Sequence, residues 1–275
     1  MSGKRRLTRV ALTVALVAVC ALAVAAQRRG RGRFFEPIRS PTPNTFQGTF
    51  NFCRVMFTSG GGDGGNWSVD YPRADVNLSI RYSELTKARI ATAATGEPDH
   101  VVLSLLDPAL FECPFVMMTE VGNAYISPEE AAKLREYLLK GGFLWADDFW
   151  GSYAWENWVG EIAKALPPAE FPIFELKPDH PLFRQQFQIA KVPQIPSINF
   201  WMGSGGGTSE RYEDSAVPRA MGIADKSGRM MVLMTHNTDV GDSWEREADD
   251  PSYFYHFSVD GYAFGINVLL YSTTH

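Results

Sequence analysis

Asp147 and Asp148 stand side by side at the end of the apolar run Phe143-Leu144-Trp145-Ala146, the place where an open α/β sheet presents polar groups to a ligand. Two carboxylates of unequal proton affinity can divide general acid and general base work. Successive strand residues face opposite sides, so one of the pair is expected at the rim while the other bonds a loop or caps the following helix. A second rim carboxylate would then come from Glu120 or Asp239, each expected at another strand end. These four acids are the candidate catalytic residues.

Ligand contacts have further candidates. Gly61, Gly62, Asp63, Asn66 and Trp67 belong to a glycine-rich loop whose successive N–H groups could wrap an anion. It lacks the Lys-Ser/Thr pair of a nucleotide loop, and a flexible loop is the simpler reading. Trp150, His236, Asn237 and Trp244 combine aromatic faces with amide and imidazole groups that suit sugars or peptides; alternatively, the tryptophans roof the core. Asp63, Asn66, Asp147 and Asp239 offer hard oxygen ligands, yet their spacing matches no known calcium loop. His100, His180, His236, His256 and His275 are scattered and lack the close pairs of a zinc site. No metal and no cofactor is expected.

The elements that must position these groups alternate along the chain. Cys53–Thr58 reads as a strand, and a helix is expected over 74–90 with Leu78, Tyr82 and Leu85 on its inner face. Val101–Leu106 and Phe115–Met118 are nearly unbroken apolar runs, as in strands covered on both faces. A helix over 128–140 has Ser127 as cap, Pro128 in its first turn, Glu130 closing a capping box and Gly141 as its stop. Its inward residues are Ala131, Leu134 and Leu138. The strand Phe143–Ala146 follows, then a helix carrying Trp155, Trp158, Val159, Ile162 and Leu166 that Pro167-Pro168 ends. Phe171–Leu176 and Met230–Thr235 supply further strands, and Phe264–Tyr271 closes the fold as helix or strand. The stretch 185–218, rich in Pro and Gly, is expected to lie over one end of the sheet. Alternation of this kind specifies an α/β fold with a doubly wound, mostly parallel sheet.

The 275 residues are 45% hydrophobic, enough for one large core, so disorder is excluded as the default. A net charge of −5 provides no basic surface for a phosphate backbone, which excludes nucleic acid as a partner. Residues 1–26 place Lys4, Arg5, Arg6 and Arg9 before the apolar run Val10–Ala26, which reads as a signal peptide or a membrane anchor. Ala23-Val24-Ala25 favours cleavage, whereas the arginines after the run favour retention in the membrane. Residues 27–49 read as a flexible linker, and 50–275 as the domain. Cys53 and Cys113, the cysteines left beyond the leader, allow one disulfide or two buried thiols.

Taken together, several segments resemble a bacterial family, the domain of unknown function numbered 4159. They are Phe52-Cys53-Arg54-Val55 with its glycine loop, Leu106-Asp107-Pro108 through Phe115, and Ser127 through Asp148. Pro178-Asp179-His180-Pro181-Leu182-Phe183 and the run His236 through Glu245 complete the likeness. The resemblance implies a flavodoxin-like or class I glutamine amidotransferase-like sheet and a bacterial envelope setting. Amidotransferases carry a nucleophilic Cys on a strand-to-helix elbow; the corresponding segment here, Met118-Thr119-Glu120-Val121-Gly122, has neither Cys nor Ser. The reading with fewest assumptions is an exported or membrane-anchored envelope protein, periplasmic or facing the periplasm. Its domain would be a non-catalytic binder of other envelope proteins or of a small polar ligand such as a glycan or peptide. The alternative is a hydrolase of such a glycan or peptide, using the strand-end carboxylates.

Overall fold

The computed structural model describes residues 38–60 and 65–275. The leader, the first part of the linker, and Gly61, Gly62 and Asp63 lie outside them. In chain order the strands are β1 (Phe52–Val55), β2 (Thr58–Ser59), β3 (His100–Leu103), β4 (Phe115–Thr119) and β5 (Ala124–Tyr125). They continue with β6 (Phe143–Phe149), β7 (Ile173–Glu175), β8 (Arg219–Ala224) and β9 (Met230–His236). The helices are α1 (Arg73–Thr86), α2 (Pro128–Leu139), α3 (Gly151–Ala165), α4 (Ile198–Gly203), α5 (Asp242–Glu245) and α6 (Pro251–Tyr253). A π-helical turn, Phe254–Ser258, leads from α6 into α7 (Val259–Thr274).

Seven strands form one mostly parallel sheet in the order β3-β1-β4-β6-β9-β8-β7. β3, β1, β4, β6 and β9 run parallel; β8 lies antiparallel to β9, and β7 antiparallel to β8. The strand order reverses at β1, so the crevice beside β1 and β4 is a topological switch point. β2 and β5 pair antiparallel above it, Thr58 against Tyr125 and Ser59 against Ala124.

The central strands are apolar on both faces because both are covered. Val116, Met118, Leu144, Ala146, Val232 and Met234 share a core with Leu134 and Leu138 of α2 and Trp158 and Ile162 of α3. Phe115, Met117, Phe143, Trp145 and Leu233, their alternates, pack on Leu78 of α1 and Phe264 and Val268 of α7. This two-sided burial is what the near-continuous hydrophobic runs encode.

α2 begins as its sequence dictates: the Ser127 hydroxyl accepts from Glu130 N–H, and the Glu130 carboxylate accepts from Ser127 N–H. Its inward residues Ala131, Leu134 and Leu138 are buried. Other boundaries shift. α1 stops at Thr86, where Lys87 adopts a left-handed conformation and returns its N–H to Ser83, and Leu85, expected on the inner face, is 47% exposed. The strand expected through Leu106 ends at Leu103. The closing segment is a helix, α7. β8 was outside the expected strands, and the segment 185–218 that precedes it includes the short helix α4. Part of the expected linker lies on the domain: Val102 N–H donates to the Arg39 carbonyl, and Arg39 pairs with Asp99 at 2.9 Å. Cys53 and Cys113 form a disulfide joining β1 to the turn before β4. No helix among the described residues is long and apolar enough to cross a membrane.

Candidate functional site

Four loops at the carboxyl ends of adjacent parallel strands deliver acids to one rim. Asp70 comes from the segment between β2 and α1, Glu120 from the end of β4, Asp147 and Asp148 from β6, Asp239 from the turn between β9 and α5, and Asp242 from the start of α5.

The two β6 acids separate as the alternation of a strand requires, and a bulge sharpens the division. Ala146 pairs with Met234 and Phe149 with His236, so β6 advances three residues against two on β9. Asp147 turns toward a loop. Its Oδ1 accepts from the Thr235 hydroxyl and its Oδ2 from Gly241 N–H at 3.0 Å, and Thr235 is itself held by the Trp145 indole at 2.8 Å. Burial pushes the Asp147 carboxyl up to about 7, against the pull of these donors. With both oxygens engaged and no exposed surface, it is a poor proton donor to anything arriving from solvent.

Asp148 is the rim member of the pair. Its backbone is left-handed at φ +56°, which carries the carboxylate out of the strand, and its Oδ1 accepts from the Trp150 indole N–H at 2.9 Å. One carboxylate oxygen from each of Asp70, Asp148 and Asp239 lies within 4.8 Å of the others. Asp239 accepts from Asp242 N–H at 2.8 Å, while Asp70 Oδ2 is buried without a hydrogen-bond partner. Burial raises all three well above the usual carboxylate range, and mutual repulsion adds to it. Asp242 and Glu245 extend the cluster past Asp70; burial raises them as well, but both pair with Arg246.

Three neighbouring strand ends share an uncommon backbone. Glu120 after β4, Asp148 in β6 and Asn237 after β9 have φ of +55°, +56° and +61°. Non-glycine residues in this region cost on the order of 1–3 kcal/mol each, and such strain concentrates at functional sites. Asn237 is locked in place: its Oδ1 accepts from Gly151 N–H and its Nδ2 donates to the Val217 carbonyl. Gly151 is a position where only glycine fits, since its φ is +79° and an added Cβ would meet Asp214 Oδ2 at 2.5 Å.

The remaining candidates disperse. His236 donates from Nε2 to the Gly151 carbonyl and packs against the rings of Phe149 and Trp155, with its Nδ1 buried and without a hydrogen-bond partner. Trp244 is wholly buried against Trp145 and does not reach the rim. Trp67 uses its carbonyl to receive Arg54 and stacks obliquely on Tyr71. Asn66 is exposed and closes a turn onto Ser68. Asp70, Asp242 and Glu245 were not among the residues singled out in the sequence; an acid just before an aromatic-proline step, Asp70-Tyr71-Pro72, was the available signal for the first.

Below the rim, Arg54 of β1 is fully buried. Its Nε donates to both oxygens of Asp75 at 3.0 and 3.1 Å, and its Nη1 to the carbonyls of Trp67 and Val69. This anchors the segment carrying Asp70 and commits the guanidinium elsewhere. At the end of β4, Thr119 is fully buried and its hydroxyl has no hydrogen-bond partner. No base engages it.

No curated protein matches the chain. A family model described as a domain of unknown function (DUF4159) matches residues 52–273, a span that contains every acid of the rim, and the chain belongs to that family.

Proposed function

We propose that this chain is an exported envelope protein whose domain, of flavodoxin-like or amidotransferase-like fold, binds a polar ligand at the acidic rim and does not catalyse a reaction. The observation that carries this reading is the convergence of Asp70, Asp148 and Asp239 at the carboxyl ends of parallel strands, where folds of this class take their ligands. Carboxylates so close, and not paired with a basic side chain among the described residues, favour a ligand that brings positive charge or hydrogen-bond donors. Against hydrolysis stand the buried, partnerless Thr119 hydroxyl and the doubly engaged Asp147. The disulfide between Cys53 and Cys113 supports an oxidising compartment, as does the basic-then-apolar leader.

The test is a thermal-shift screen of the purified chain against oligosaccharides, basic peptides and amines, because a ligand that prefers the native state raises the melting temperature. Asp148→Asn should remove the shift while leaving the fold intact. Turnover of a glycan or peptide by the wild type, lost in that variant, would replace the binding reading with the hydrolase. N-terminal sequencing of the fractionated native protein tests export, and an intact chain recovered freely soluble in the cytoplasm would end that part of the proposal.

A further inference from the structure

We propose that Asp70, Asp148 and Asp239 form a binding site for a hard divalent cation such as calcium. The inference rests on the binding reading above and names a ligand for the same rim. Three observations support it.

The first is geometric. Two oxygens on opposite sides of one calcium ion stand up to about 5 Å apart. The three carboxylate oxygens lie within 4.8 Å of one another, close enough for a single hard cation to bridge them. The second is an orphaned atom in the constellation. Asp70 is 6% exposed, and its Oδ2 is buried with no hydrogen-bond partner. A carboxylate oxygen in that situation has lost its water and gained nothing in return. A cation coordinated there would supply the missing partner.

The third is charge. Among the described residues no basic side chain pairs with Asp70, Asp148 or Asp239. Two guanidiniums beside the cluster are committed: Arg54 to Asp75 and two carbonyls, Arg246 to Asp242, Glu245 and Asp249. Arg246 also explains why the neighbouring trio of Asp70, Asp242 and Glu245 is the weaker candidate, since two of its three members already have a cation. Asp148 and Asp239 each accept one protein donor, which holds the two carboxylates in place.

The experiment uses the full chain, stripped with a chelator and titrated with calcium chloride, magnesium chloride and terbium chloride. Calcium or magnesium at about 100 times its Kd should raise the melting temperature by about 5–10 °C. Terbium should show sensitised emission, because the Trp150 indole lies against Asp148, and calcium should quench that emission by competition. Asp70→Asn and Asp239→Asn should each lose the calcium shift. Both remove repulsion, so they should melt no lower than the wild type in chelator, which separates lost binding from lost folding. An unchanged wild-type melting temperature up to 10 mM of every ion would overturn the proposal, as would a full calcium shift in Asp70→Asn. The polar-ligand screen is repeated in chelator. A shift there that Asp148→Asn abolishes keeps the binding reading alone, and a calcium shift without any organic ligand keeps the cation site alone.

Discussion

Reducing the bridge between Cys53 and Cys113 tests how the two edges of the switch point are held together. The cysteines are 60 residues apart in sequence, and the loop they close contains α1, β3 and the segment carrying Asp70. Freeing a loop of that length returns about 14 cal/mol/K of entropy to the unfolded chain, or about 4 kcal/mol at 25 °C. For a domain of this size that corresponds to a fall in melting temperature of about 8–16 °C. Both sulfurs are buried in the core under α2, so reducing the wild type is a cleaner comparison than replacing the cysteines, which would add lost packing. The assay is thermal or urea unfolding with and without a phosphine reductant, with alkylation and mass measurement to count free thiols. A protein that alkylates at both cysteines without reductant would refute the reasoning. So would an oxidised protein whose transition moves by less than about 2 °C on complete reduction.

Four further outcomes are expected. Arg54→Met should destabilise the domain by about 3–5 kcal/mol in urea titrations, because it leaves Asp75 buried and unpaired; Arg54→Met combined with Asp75→Leu should recover much of that loss. Burial holds the pKa of His100 below its ordinary value of about 6.5, so the unfolded chain takes up a proton first as the pH falls. His100 therefore costs stability progressively below about pH 6.5, and His100→Asn should flatten the stability curve between pH 6.5 and 5, whereas parallel curves would contradict the assignment. Gly265→Ala should cost about 1–3 kcal/mol, since the new Cβ would sit 2.6 Å from the buried Trp244 ring and 3.0 Å from Leu78. Asp70→Asn in chelator should stabilise the domain at pH 8, because burial and the neighbouring carboxylates raise the Asp70 pKa, and an acid harder to ionise in the folded than in the unfolded chain costs stability above the usual carboxylate range; calorimetry reads the difference.

Segments whose local chemistry and burial agree were legible without coordinates. α2 carries its own start and stop, and β4, β6 and β9 announce two-sided burial by their unbroken apolar runs. β8 was not legible, because Arg219 and Gly222 interrupt its pattern and its place is decided by antiparallel pairing to β9. Gly222 is required there by the approach of Phe174 and Met230, a tertiary fact. The rim was half legible. Asp147, bonded to Gly241, and Asp148 part as strand alternation expects, and Asp239 lies beside Asp148. Asp70 was missed because it follows the β1–β2 region through a loop of no recognisable pattern, and it reaches Asp148 and Asp239 only through the topology. The same reason defeats a search for metal-ligand spacing, since each of the three carboxylates arrives on a different loop. For Trp244 the sequence leaves open a ligand contact or a place roofing the core, because α5 is too short to show a period; in the folded chain the indole is buried.

The left-handed residues at three adjacent strand ends also limit how the rim can be redesigned. Glu120, Asp148 and Asn237 hold a conformation that asparagine, aspartate and glycine tolerate and that β-branched residues resist. Exchanges of charge at constant shape, Asp148→Asn or Asn237→Asp, are therefore open to selection with little backbone penalty, whereas valine or isoleucine there would have to rebuild a strand terminus. A lineage can retune the electrostatics of this edge one proton or one amide at a time while the scaffold beneath it stays fixed.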